Sequence, residues 1–204
     1  MLLFYSWRIK VDSIAKKDLI IYIHGWNSSG NARKAELLKE ELANNAEYEV
    51  ISFTLKSHPR EATRQLAEII KSEKVVRKVH LIGSSLGGYY AVFLAESLDL
   101  KAAMINPAVW AYKIFENDRG ENTNPNTKEK YIIDQEWVDS LEEIFIENPN
   151  KNRFLVLLQT GDETLDYRYA EKYFSGAKTI IDEGGSHSFE DLQCKIPEML
   201  QHFS

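Results

Sequence analysis

Cysteine is almost missing from this chain: Cys194 is the only one in 204 residues. A disulfide within the chain is therefore excluded, and no Cys/His spacing of the kind that holds zinc is present. Long apolar runs are missing too. The one early run, Met1 to Trp7, falls well short of the ~20 residues that cross a bilayer. It is followed by Arg8 rather than preceded by a basic segment, and no small-residue cleavage site comes after it. Neither a signal peptide nor a membrane span is expected, and a reducing cytoplasm fits the cysteine usage. Positive charge is in deficit, with 25 Lys+Arg against 31 Asp+Glu and a formal net charge of −6. Phosphate backbones demand the reverse, so nucleic acid is not an expected partner.

What the chain does have is the material of a packed core, with 44% hydrophobic and 11% aromatic residues. The length suits one domain over residues 1–204, and no internal repeat, low-complexity tract or linker divides it. From Leu19 onward, short apolar runs alternate with helical patterns. The runs are Leu19 to Ile23, Val50 to Phe53, Val79 to Ile82, Ala102 to Ile105, Phe154 to Leu158 and Thr179 to Ile181. Runs this continuous suit strands buried on both faces, and the spacers Asn31 to Asn44, Arg60 to Lys74, Leu86 to Leu98 and Leu165 to Phe174 suit crossover helices. The expected class is α/β, a mostly parallel sheet with helices on both faces. Ser6 to Asp12 alternates strictly and reads as an antiparallel edge strand. Residues 107–150 break the rhythm. They show no strand signal, carry a helical pattern near Asp134 to Ile146, and suit either a small lid-like insertion or a long crossover.

Gly83-Ser84-Ser85-Leu86-Gly87 is a G-x-S-x-G sequence between a strand pattern and a helix pattern. A serine at the tip of such a turn projects its hydroxyl from the sheet, and glycine on either side avoids a clash. The frame selects Ser85, because Ser84 would need glycines where Ile82 and Leu86 stand. Leu86 then opens a helix, and its N–H is aimed at a developing oxyanion. A second donor is expected from the loop after the first parallel strand, His24-Gly25-Trp26-Asn27-Ser28-Ser29-Gly30, and the Trp26 N–H takes that part. His24 reads as a brace of this loop. Gly25 to Gly30 imitates the glycine spacing of a phosphate loop, but Asn31-Ala32 follow where Lys-Ser/Thr would grip phosphate and magnesium.

Ser85 needs a base. Of the five histidines, His80 sits in a strand pattern and His202 in the terminal helix, both structural places, while His58, before Pro59, is a residual candidate. His187 lies in a turn-rich loop after the last strand, ahead of Ser188 to Asp191, which resembles a capping box opening the C-terminal helix. The acid belongs on the loop after the penultimate strand. There Asp162 is the first carboxylate, while Asp166 is also available and has an alternative explanation as a helix N-cap.

Taken together, Tyr22 to Ser29 (YIHGWNSS), Gly83 to Tyr90 (GSSLGGYY), Asn106 to Val109 (NPAV), Gln159 to Arg168 (QTGDETLDYR) and Glu183 to Phe189 (EGGSHSF) resemble the small YqiA-type bacterial esterases of the α/β-hydrolase superfamily. The stretch Met1 to Lys17 has no counterpart in that resemblance. The resemblance implies hydrolysis of acyl esters or acyl thioesters without metal or organic cofactor, with Ser85, Asp162 and His187 as nucleophile, acid and base. Acyl transfer to another acceptor would use the same residues, and a non-catalytic binding protein of this fold is the rival from another class. Trp110, Tyr112, Phe115 and Trp137 are expected to hang over Ser85, with Trp110 and Phe115 lining an apolar acyl site. No oligomeric state follows from the sequence.

Overall fold

A computed structural model describes residues 16–204; the expected edge strand over Ser6 to Asp12 lies outside the described residues. Six strands pair in parallel: β1 (Asp18–Ile23), β2 (Tyr48–Ser52), β3 (Val79–Ser84), β4 (Ala102–Ile105), β7 (Phe154–Gln159) and β8 (Lys178–Asp182). Their order across the sheet is β2-β1-β3-β4-β7-β8. The helices are α1 (Arg33–Glu41), α2 (Pro59–Lys74), α3 (Leu86–Leu98), α4 (Ala111–Phe115), α5 (Gln135–Glu142), α6 (Tyr167–Tyr173) and α7 (Ile196–Phe203). All six apolar runs are strands of this sheet.

The continuous runs are explained by two cores separated by the sheet. Leu19, Ile21, Ile23, Leu81, Met104, Val156 and Leu158 face α2, α3 and α5. Their neighbours Ile20, Tyr22, Ile82, Ile105, Leu155 and Leu157 face α1 and α7. The period of two along each strand therefore sends every second residue into a different core, and both positions must be apolar. Each such side chain contributes on the order of 2 kcal/mol by leaving water.

Strand order reverses at β1, which is followed by β2 on one side and flanked by β3 on the other. The loops leaving the C-terminal ends of β1 and β3 diverge there and open a crevice, the usual place for a ligand in an open parallel sheet. Both the Gly25–Gly30 loop and Ser85 sit at that point.

Residues 107–150 contain the strands that the sequence did not announce. β5 (Gly120–Thr123) and β6 (Lys130–Ile133) form an antiparallel hairpin outside the main sheet. Its strands are short and mostly exposed, and GENT has none of the apolar alternation that marks a half-buried strand. The turn is set instead by Asn124, whose Oδ1 accepts the N–H groups of Asn126 (2.8 Å) and Thr127 (3.2 Å). The expected helix near Asp134 to Ile146 is the shorter α5, capped by Asp134 Oδ1, which accepts the Trp137 N–H at 2.9 Å. Ser188 to Asp191 is not a capping box. Phe189 and Asp191 have φ of 61° and 54°, which breaks any helical path. A 3₁₀ turn (Leu192–Lys195) intervenes, and α7 opens on Ile196-Pro197 instead.

Candidate active site

Ser85 joins β3 to α3 with φ 55° and ψ −125°. For a residue with a side chain this is a strained backbone, worth roughly 1–3 kcal/mol, and it persists only where surroundings enforce it. They do so here. The Ser85 N–H donates to Ile105 O (3.1 Å), and Ser85 O accepts from Gly88 (2.9 Å) and Ala108 (3.0 Å). The flanking glycines are needed for close approach. A Cβ on Gly83 would lie 2.5 Å from Gly87 O, and one on Gly87 would lie 2.1 Å from Ile23 O and 2.6 Å from His24 O. Since those atoms are backbone, Gly87→Ala must push α3 off β1. The expected cost is about 3 kcal/mol, read as a lowered urea midpoint; an unchanged midpoint would contradict this account of the turn.

Ser85 and His187 line one cavity of about 520 Å³, together with Gly25, Trp26, Ser28 and Lys34. Among the described residues, neither the Leu86 nor the Trp26 backbone N–H has a protein acceptor. Loop Gly25–Ser28 is a tight turn closed by Ser28 N–H to Gly25 O (3.3 Å), with Asn27 at φ 53°. Asparagine tolerates that left-handed conformation. His24 braces the loop from below: its Nε2 accepts the Leu55 N–H at 3.0 Å, which makes Nδ1 the protonated nitrogen, donating to Gly25 O at 2.8 Å. Burial lowers the His24 pKa and holds the ring neutral.

His187 Nδ1 donates to Asp162, 2.8 Å from Oδ2 and 3.0 Å from Oδ1. The Asp162 side chain is 1% exposed. Burial alone would raise its pKa. The bond from His187 and the N–H groups of Leu165 (2.8 Å) and Thr164 (2.9 Å) outweigh that and keep the carboxyl below its ordinary value. Asp166 is elsewhere engaged, capping α6 by accepting the Arg168 N–H at 3.0 Å. The imidazole makes no hydrogen bond to Ser85 Oγ, although both residues line the same cavity.

Several residues that no motif singled out hold the His187 loop. Buried Gln159 accepts the N–H groups of Ser186 (3.1 Å) and Glu190 (2.9 Å) on one oxygen and donates to Glu190 O (2.9 Å). Asn106 Nδ2 donates to Ser186 O (3.0 Å), while its Oδ1 accepts the Gln159 N–H (3.0 Å). Glu163 accepts the His187 N–H (2.9 Å), and Lys34 Nζ donates to Ser188 O (2.8 Å). Burial pushes the Lys34 ammonium down to about 8, opposed by the nearby Asp162 charge. Asn106, Gln159 and Glu163 all fall inside stretches that carried the family resemblance, which was the available signal.

The aromatic residues expected over Ser85 do not line its cavity. Phe115 is buried, edge-on to Trp26 (5.1 Å) and Trp137 (4.8 Å), and packs α4 onto the body. Trp110 has a left-handed backbone, φ 42°, that turns its ring toward Tyr169 (5.8 Å) and Tyr173 (6.4 Å). It borders a separate cleft of about 410 Å³ with Leu165 and Tyr169. Trp137 donates Nε1–H to Ser57 O (3.0 Å) from the core, and Tyr112 packs on Phe145. The other histidines are occupied: His58 caps α2, His80 stacks on Phe203, and His202 donates to Arg153 O.

Among the described residues, no group of His, Cys, Asp and Glu could hold a metal ion, and no helix is long and apolar enough to cross a membrane. The family described as "Uncharacterised protein family (UPF0227)" matches residues 19–204. The UPF0227 protein YcfP of Salmonella gallinarum is 26% identical over 178 residues, covering 85% of this chain and 92% of the relative. The YcfP protein of Escherichia coli O9:H4 is 26% identical over the same length and shares. Among solved structures, a putative hydrolase from Agrobacterium vitis superposes with a TM-score of 0.75 at 16% identity, covering 93% of this chain and 90% of that one. Est1E from Butyrivibrio proteoclasticus, solved with ferulic acid bound, superposes with a TM-score of 0.75 at 16% identity, covering 95% and 90%. The fold is that of the α/β hydrolases.

Proposed function

This chain belongs to the UPF0227 family, the family to which the YqiA-type resemblance pointed, and we propose that it is a serine hydrolase of acyl esters or acyl thioesters. The observation that carries the reading is the strained Ser85 turn sharing a cavity with an imidazole whose far nitrogen is held by a buried carboxylate. His187 Nε2 takes the Ser85 proton as Oγ attacks the acyl carbonyl, a contact that closes only on bound substrate. The resulting oxyanion is held by the Leu86 and Trp26 N–H groups. His187 then gives the proton to the departing alkoxide or thiolate. Water, deprotonated by the same nitrogen, hydrolyses the acyl-enzyme and restores Ser85. Asp162 accepts the Nδ1–H throughout, which keeps Nε2 free as base and stabilises the imidazolium. Within the same reading, residues 107–150 act as an insertion on a single hydrolase domain.

Acyl transfer to an acceptor other than water is the second reading, since Ser85 and His187 would serve it unchanged. A fluorophosphonate probe followed by peptide mapping, with turnover of p-nitrophenyl esters and acyl-CoA thioesters of graded chain length, tests the proposal. Label on Ser85 and release of free acid are expected. An unlabelled protein would leave the fold with a binding role instead.

A further inference from the structure

Loop Gly25–Ser28 is held from below by His24, but its outer side is tied down by a different part of the chain, about a hundred residues away. Trp26 Nε1 donates to Tyr131 Oη at 2.7 Å, and Tyr131 Oη in turn donates to Asn27 Oδ1 at 2.7 Å. Asn27 Nδ2 donates to Asn122 Oδ1 at 3.0 Å. Two main-chain carbonyls of the loop are also taken: Asn126 Nδ2 donates to Asn27 O at 2.7 Å, and Asn124 Nδ2 donates to Ser28 O at 3.0 Å. All four partners lie on the β5–β6 hairpin or its turn, and Asn124 is buried. Phe115 backs the Trp26 ring edge-on.

These bonds have a common target. Asn27, at φ 53°, sits in the middle of the loop, and the hairpin takes both its side chain and its carbonyl. Trp26 lines the Ser85 cavity, its own side chain is held by the hairpin, and the gripped carbonyls, Asn27 O and Ser28 O, follow one and two residues later. We propose that the β5–β6 hairpin is a positioning element for the oxyanion site, with Tyr131 as its principal residue. It sets where the Trp26 N–H points by fixing the side chains of Trp26 and Asn27 together. The inference rests on the serine-hydrolase reading above and deepens it.

The energetic consequence is specific. A donor aimed at the oxyanion is worth about 10²–10³ in turnover when removed outright. Displacing it rather than removing it loses part of the effect, and does so in the transition state rather than in substrate binding. Tyr131→Phe deletes both bonds of the hydroxyl while keeping the ring. Steady-state hydrolysis of p-nitrophenyl butyrate should show kcat falling about 10- to 100-fold with KM within about twofold. An alkyl trifluoromethyl ketone forms a hemiketal with the nucleophile and places an oxyanion in the site, so its Ki should rise by the same factor as kcat falls. Asn126→Ala, at an exposed position of the hairpin turn, should move both quantities in the same direction by less, and it carries the test if Tyr131→Phe does not fold.

Wild-type kcat in both variants would overturn the inference, as would a loss of kcat with the ketone Ki unchanged. A wild-type protein that turns over no ester and takes no fluorophosphonate label would remove the hydrolase reading, and this inference with it. An active wild type with insensitive hairpin variants removes the inference alone.

Discussion

Replacing Ser85 by alanine is expected to lower ester turnover by about 10⁴- to 10⁶-fold and to abolish fluorophosphonate labelling, with the fold intact. The size follows from what is lost. Without Oγ no acyl-enzyme can form, and only direct attack by water remains, helped by the two N–H groups proposed to hold the oxyanion. The fold should survive because Ser85 contributes its backbone, rather than its side chain, to the turn. Its N–H bonds Ile105 O and its carbonyl bonds the Gly88 and Ala108 N–H groups, none of which alanine disturbs. Alanine must adopt φ 55°, as serine does, so the strain is carried over and little change in melting temperature is expected. Turnover, intact-mass labelling and thermal melting of the variant are the measurements. A Ser85→Ala protein that keeps its activity, or a wild-type label mapped to another serine, would remove Ser85 from the reaction.

The second large effect is at the carboxylates, where two neighbouring aspartates should behave in opposite ways. Asp162→Asn is expected to lose about 10⁴ in turnover while remaining folded. An amide in that place can offer an N–H to Nδ1, which favours the tautomer carrying its proton on Nε2 and so blocks the base. It also removes the charge that stabilises the imidazolium. The oxygen that accepts the Thr164 and Leu165 N–H groups is retained in asparagine, which is why stability should change less than activity. Asp166→Asn should be folded and largely active, because asparagine caps a helix about as well as aspartate does. Only the exposed pairing with Arg168 is lost there, and pairs of that kind contribute little. An active Asp162→Asn beside an inactive Asp166→Asn would reverse the roles.

The choice between these aspartates shows where reading the sequence stops. Chain order and loop placement brought both to the end of β7, and position as the first carboxylate past the strand, together with the resemblance, favoured Asp162. The separation came from the third dimension: Asp162 turns back under its own loop, accepting two N–H groups, and meets an imidazole twenty-five residues further on. Asp166 faces outward onto its own helix. The two carboxylates differ in direction, and direction is invisible in a string of residues.

The aromatic segment fails for a related reason. Composition placed Trp110 and Phe115 beside the site, and both are near it in the chain's path. A single left-handed residue, Trp110 itself, sends its ring into a second cleft, while Phe115 is taken by the packing of Trp26 and Trp137. Positive φ at a bulky residue is enforced by neighbours and has no sequence signature. The hairpin was missed because its strands bury little, so the alternation that normally reveals a strand had no cause to exist.

By itself, then, the sequence determined the six buried strands, their crossover helices and the position of the Ser85 turn. These are local matters: a residue buried on either face of a sheet must be apolar, and a helix packed at 2.1 Å from a strand carbonyl at the Cβ position must carry glycine there. The tertiary structure alone decided that Asp166 turns away from His187, how Asn106, Gln159 and Glu163 hold the His187 loop, and that a polar hairpin grips Trp26 and Asn27. Those arrangements depend on side-chain directions and on partners up to about a hundred residues apart, held by single hydrogen bonds from residue types common on any surface. Such bonds impose no period and no composition, and only the folded chain brings them together.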